Sequence, residues 1–206
     1  MKRDLRGADL RRQNLAGVCF DSADLSGADL READLTGASF RNADLTGAHL
    51  EGAHAERAVF DEAVMTAAQF DAVDLTDASL VGVFAPSVTM SNIHAVRARF
   101  DDATLHRANL QGASLVRASF DLADLHHADL RGADLRRAVI SEVFLDGADF
   151  RGARLDPDAL SEALAQGQRV VSCCGAASDA SAELVAAAMS GCSSVWGECL
   201  KARRIQ

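Results

Sequence analysis

The sequence predicts an all-β solenoid: a four-sided coil of about eight turns, one pentapeptide to a side, followed by a short helical cap. Three observations predict it. Leu, Phe, Met, Ile or Ala stands at every fifth position from Leu5 to Leu155, 31 positions without a slip. Two residues before each of them, from Ala8 onward, stands Ala or a β-branched residue, with Gln13 the exception. Large residues also recur at twenty: Phe20, Phe40, Phe60, Phe100 and Phe120 form one series, with Leu80 and Ile140 in its remaining places.

Neither common element buries such a series. An α-helix turns by roughly 100° per residue, so a five-residue spacing wanders around its surface. A flat strand sends successive fifth residues to opposite faces. A square coil with five residues per side points every fifth residue at its axis. Twenty residues then make a turn, and parallel pairing between turns at about 4.8 Å gives a rod of roughly 35–40 Å.

Each position of the pentapeptide has its reason. The alanines face inward beside the central residue, where a square coil has little room. Between Val83 and Ala95 the sizes swap: Val83 precedes Ala85 and Ile93 precedes Ala95, which conserves core volume. Pro86 lies in the same stretch and cannot donate a ladder bond, so a local kink or bulge is expected near 83–96. Asp recurs just before the central residue, as at Asp24, Asp29, Asp34, Asp124, Asp129 and Asp134, and Gly two residues after it, as at Gly7, Gly27, Gly37 and Gly132. Both read as corner residues, Gly because it tolerates unusual dihedrals and Asp because it bonds to nearby backbone N–H groups.

Net charge is −9, which argues against general nucleic-acid binding through a basic surface. No apolar run reaches the roughly 18 residues of a membrane span. The first residues, Met1-Lys2-Arg3-Asp4, carry no apolar leader and enter the repeat at once, so a cytoplasmic protein is expected. The packed axis leaves no pocket, and the sequence contains none of the common hydrolase, zinc-protease, P-loop or dinucleotide fingerprints; no enzyme and no cofactor are expected.

The recurring Ala-Asp-Leu-x-Gly, as at Ala28-Asp29-Leu30 or Ala133-Asp134-Leu135, resembles the pentapeptide repeat family over residues 3 to 156. The resemblance implies a right-handed quadrilateral β-helix. It also implies a function. The best understood bacterial members inhibit or protect DNA gyrase, resemble B-form DNA in width and surface charge, and dimerise end to end through C-terminal helices. Others serve as scaffolds or parts of larger effectors. Plasmid-borne quinolone-resistance members carry loops that project from the coil. The unbroken count by fives leaves no room for one here, and the chain looks more like the loop-free actinobacterial type.

On this basis the expected partner is DNA gyrase or topoisomerase IV, bound without direct contact to nucleic acid or membrane. The alternative is a protein-binding scaffold unrelated to topoisomerase. Residues just after each central position point outward. The side that carries the Phe series is mainly acidic, and the candidate topoisomerase-binding residues are Asp21, Asp61, Glu62, Asp101, Asp102, Asp121 and Glu142. The Leu10 series is followed by Arg11, Arg31, Arg131 and Arg151, so that side is expected to be basic at both ends and acidic at its centre.

The organisation follows as residues 1–156 for the coil and 157–206 for a C-terminal cap. Asp156-Pro157-Asp158 reads as a helix start, and Leu160, Leu164, Leu184, Val185, Met189 and Trp196 are the expected capping and dimerisation residues of a homodimer. Cys173, Cys174, Cys192 and Cys199 lack the paired spacing of a zinc site. His126-His127 is the sole adjacent pair among six histidines, His106 and His126 share one mixed face, and His49 and His54 fall on different sides of the coil. No metal site is expected.

Overall fold

The computed structural model describes residues 3–156 and 159–160. Parallel bridges join residues twenty apart in an unbroken series, from Asp4 with Asp24 to Asp134 with Arg154. Each side of the square contributes one bridge residue and then turns, so the sides are too short to be named strands.

Four of the five N–H groups in a pentapeptide have backbone partners, as the side around Leu25 shows. Leu25 N–H donates to Asp44 C=O at 2.7 Å, and Gly27 N–H to Thr46 C=O at 2.9 Å. Asp24 N–H donates back to Arg3 C=O at 2.9 Å, and Ala28 N–H closes the corner onto Leu25 C=O at 2.9 Å. The residue two after the centre has positive φ at all thirty corners: eleven are glycine and nineteen are not. A turn with positive φ at its third residue is a type II arrangement, which explains why Gly recurs there.

The fifth N–H, on the residue just after the centre, has no backbone acceptor. It is what the recurring Asp serves. Asp34 Oδ1 accepts Thr36 N–H at 3.0 Å, and Asp44 Oδ1 accepts Thr46 N–H at 3.1 Å. Asp is therefore a residue of the straight side, at the bridge, that reaches forward to the corner. This corrects the expectation that it forms the corner itself.

The same accounting disposes of the expected kink. Pro86 occupies the position whose N–H the ladder never uses, and Pro is favoured as the second residue of such a turn. Bridges run through it from Val64 to Phe84 and from Phe84 to Thr104. The swapped core pairs Val83 with Ala85 and Ile93 with Ala95 are fully buried. Their mark is limited to looser corners: Val83 N–H to Leu80 C=O and Val88 N–H to Ala85 C=O are each 3.4 Å.

The axis is filled. Phe20, Phe40 and Phe60 stack at centroid distances of 5.0 and 4.9 Å, and Phe100 stacks on Phe120 at 4.9 Å. Phe70 meets Phe60 edge-on at 5.6 Å. No buried polar side chain interrupts the core of the described residues. Leu5, Leu10 and Leu15 of the first turn are only half-buried, as befits an end. At the other end Leu160 joins the core cluster, and Asp156 accepts Arg137 N–H at 2.6 Å. The remaining cap and dimer residues Leu164, Leu184, Val185, Met189 and Trp196 lie outside the described residues, as do the four C-terminal cysteines.

Candidate interaction surface

A filled axis leaves the outside of the rod as the place where function can reside. Three positions of each pentapeptide face out: the bridge residue, the residue after the centre and the left-handed corner. The first two lie either side of the inward central residue, so their side chains meet. Asp at the bridge and Arg two residues later form a fork. Arg11, Arg31, Arg131 and Arg151 place Nη2 at 2.7, 2.5, 2.6 and 2.5 Å from Oδ2 of Asp9, Asp29, Asp129 and Asp149. The face expected to be basic at both ends is therefore neutralised pair by pair. Arg6 with Asp4 and Arg136 with Asp134 repeat the fork on the two adjoining faces.

The forks hold their carboxyls down. Hydrogen bonds from the Arg6 and Arg11 side chains, then from the same residues' N–H groups, lower Asp4 and Asp9 to about 2. Asp129, Asp134 and Asp149 shift the same way, with the arginine side-chain bond the largest cause. The rod between residues 3 and 156 contains no lysine; its sixteen cations are all arginine, the side chain whose planar fork suits a carboxylate.

The Phe-series face is different. It carries Asp21, Asp61, Glu62, Asp101, Asp102, Asp121 and Glu142 against only Arg41 and Arg99. The structure divides its seven acids into two groups. Asp21, Asp61 and Asp101 clasp the next turn. Asp21 accepts Ser39 Oγ–H at 2.5 Å and Arg41 N–H at 3.0 Å; Asp61 accepts Ser79 Oγ–H at 2.5 Å and Val81 N–H at 3.2 Å. Asp101 does the same with Ser119 and Asp121 N–H, and Arg99 Nε adds a bond at 3.1 Å. These acids supply the missing acceptor for the fifth N–H where no Asp stands at the bridge, and the Asp101 side chain is only 16% exposed.

Glu62, Asp102, Asp121 and Glu142 are exposed, and their carboxylates have no hydrogen bond or ion pair among the described residues. Glu62, Asp102 and Glu142 stand on one corner column, two turns apart each time. Sequence reasoning put all seven acids on one side but could not separate the two groups. The signal was present: each clasping Asp has Ser eighteen residues on.

The next face is the one expected to carry His106 and His126, and it holds a cluster that sequence reasoning did not assemble. His106 and His126 occupy the same outward position one turn apart, with ring centroids 6.2 Å apart. Asp124 Oδ1 accepts His126 N–H at 2.9 Å and lies 2.5 Å from His126 Nδ1. Partial burial pushes Asp124 up, but the bonds from His126 and the two imidazoles outweigh it and its carboxyl sits below the ordinary value. Phe144, 51% exposed, stacks on His126 at 6.0 Å, and His127 meets His106 edge-on at 5.8 Å. The twenty-residue rule that ordered the core also orders the histidines, and it brings together what adjacency in sequence does not. Elsewhere, a groove lined by Asp9, Arg11, Arg12, Gln13, Arg31 and Glu32 has its charged walls tied up in ion pairs, Arg11 with Asp9, Arg12 with Glu32 and Arg31 with Asp29.

The repeat itself decides the family. The sequence pattern of pentapeptide repeats matches in eight copies at residues 4–42, 43–82, 88–121, 98–137 and 118–156. The chain belongs to the pentapeptide repeat family. Members of this family fold as right-handed quadrilateral β-helices, which adds the hand to the four-sided coil. Among solved structures, the chain is similar to trypsin-treated QnrB1, a plasmid-mediated fluoroquinolone resistance protein, at 20% identity, covering 83% of this chain and 99% of that one with a TM-score of 0.41. It is similar to HetL of the cyanobacterium Nostoc sp. strain PCC 7120, a pentapeptide repeat protein involved in heterocyst differentiation regulation, at 27% identity, 74% and 87% coverage and a TM-score of 0.24. A pentapeptide repeat protein from the cyanobacterium Cyanothece 51142 is 25% identical, with 75% and 88% coverage and a TM-score of 0.30. Comparison with curated proteins gives no significant match.

Proposed function

We propose that this pentapeptide repeat protein binds a type II topoisomerase, DNA gyrase or topoisomerase IV, as an acidic decoy for duplex DNA, and so gives tolerance to an antibiotic or toxin directed at that enzyme. The observation that carries the reading is the unpartnered acidic edge of Glu62, Asp102, Asp121 and Glu142 on a backbone stapled turn to turn. A rigid rod presents these charges without the entropy cost of ordering them on contact. The described rod also holds the whole net charge, 25 acids against 16 arginines. Spread over roughly 35–40 Å, that is one net charge per ~4 Å, close to the 3.4 Å of a single DNA strand and sparser than the ~1.7 Å of the duplex. The match is to one phosphate rail rather than to both.

A supercoiling assay with purified gyrase, with and without a fluoroquinolone, tests this. Inhibition or rescue at micromolar protein supports the decoy, and neither effect at that concentration overturns it. A homodimer through residues 157–206 would double the rod, and light scattering on the whole chain reports it.

One observation favours a second reading, a scaffold for another protein. Val64 and Phe84 stand one above the other on the histidine-bearing face, 37% and 50% exposed, and Phe144 stands in the same column three turns on, beyond Thr104 and Asp124. A partner that remains bound when Asp102 and Asp121 are reversed to Lys and is lost when Phe84 becomes Ser would establish the scaffold instead.

A further inference from the structure

We propose that His106, Asp124 and His126 form a binding site for a divalent transition-metal ion such as zinc, on a face separate from the acidic edge and independent of the topoisomerase reading. One donor atom from each of the three lies within 4.8 Å of the others. All three side chains are half-buried, and two sources of rigidity hold them. The backbone beneath is bridged: Thr104 pairs with Asp124, and Asp124 with Phe144. The rings above are packed, His126 against Phe144 and His106 against His127.

The donor set is two imidazoles and one carboxylate. Zinc accepts such a set at about 2.0–2.2 Å per bond, and three protein ligands leave a fourth position open. Bonds of that length draw the donors closer than they stand, by rotation of side chains that the turn spacing already stacks. The Asp124–His126 contact alone would be an ordinary surface pair. What makes it a site is His106 one turn away, whose ring faces the same carboxylate. Phe144 and His127 shield two flanks from water and leave the outward flank open. The fourth ligand is then water, or a donor atom from whatever protein docks against the adjoining Phe84 and Phe144.

Titration of the full chain with zinc chloride and with cobalt chloride tests the site. The thiols are first blocked with N-ethylmaleimide, so that the C-terminal cysteines and Cys19 contribute nothing. Calorimetry is expected to show one ion bound with micromolar or tighter affinity, and cobalt to give a visible ligand-field spectrum without a thiolate charge-transfer band. His106→Ala and His126→Ala should each weaken binding by no less than the ~10–100-fold that losing even an outer partner of a metal site costs. Asp124→Asn should weaken it as well, while His94→Ala, on the opposite side of the coil, leaves it unchanged. Unaltered far-ultraviolet circular dichroism confirms that each variant is folded. Absence of binding at high micromolar zinc overturns the proposal. So does binding that survives both histidine substitutions, or that vanishes when the thiols are blocked.

Discussion

At each corner of the coil one residue sits in the left-handed region, and nineteen of the thirty are not glycine. Leu122 is the most apolar of them, with φ 58° and 45% exposure. An L-residue there is strained by roughly 1–2 kcal/mol, while glycine forfeits ~0.5–1 kcal/mol in chain entropy on folding. Leu122→Gly is therefore expected to stabilise the rod by about 0.5–1 kcal/mol, read as a higher urea midpoint with an unchanged slope. The residue scale is also where sequence reading reached least far. Gly at the corner was legible, because positive φ selects it. That Asp serves a nearby N–H was legible as well; which N–H was not, since it depends on knowing which of five such groups the ladder leaves over. Pro86 was misjudged for the same reason: its missing N–H is the one the coil does not need.

The turn of twenty residues is the unit of packing, and its core volume is shared between two inward positions. Val83 with Ala85 reverses the usual small–large order, and both are fully buried. Val83→Ala alone opens a void, and Ala85→Leu alone overpacks at a cost of ~1–3 kcal/mol. Together they restore the common order, so the double variant is expected to lie nearer the parent than the sum of the singles. A coupling energy of at least ~0.5 kcal/mol in a denaturant cycle checks it, and strict additivity would show that the two positions do not share space. The register of the turns was fully legible, because a single slip would have sent Phe40 or Phe60 to the outside. The Asp–Arg forks act at this scale as well. Asp4 and Asp9 ionise near 2 in the folded chain against 3.8 ordinarily, and Asp29, Asp129, Asp134 and Asp149 are lowered too. A lowered carboxyl binds fewer protons folded than unfolded, so its contribution is complete above the ordinary value and is lost as pH falls through the folded one. The melting temperature is expected to hold from neutral pH to about 5 and to drop mainly between about 4 and 2. A drop centred near the histidine range would point to the imidazoles instead.

For the molecule as a whole, the acidic side was legible because outward positions sort by twenties as surely as inward ones do. Which of its acids are free went unread, because the mark of a clasping Asp is a Ser eighteen residues on, and that spacing gains meaning only once the turns place Ser39, Ser79 and Ser119 beside the carboxylates. The same sorting puts His106 and His126 on one face; what went unread is Asp124, a bridge residue that meets both rings from the other side of the inward central residue. The division of the acids gives a test that separates shape from charge. Lysine at Asp21, Asp61 and Asp101 removes the acceptors that tie consecutive turns and leaves half-buried Ser Oγ and backbone N–H groups to water, a loss of about 0.5–1.5 kcal/mol for each bond. Those variants should melt earlier whatever they bind. Lysine at Glu62, Asp102, Asp121 and Glu142 touches no such bond and relieves repulsion along the edge, so stability should be equal or slightly higher. If the rod is a decoy, the same four changes should abolish gyrase inhibition or rescue, and the parent's effect should weaken steeply as salt rises, since an edge of fixed charge acts through screened electrostatics. Loss of activity in the first set alone, in step with loss of stability, would mean that the edge only keeps the rod soluble and that recognition lies on another face.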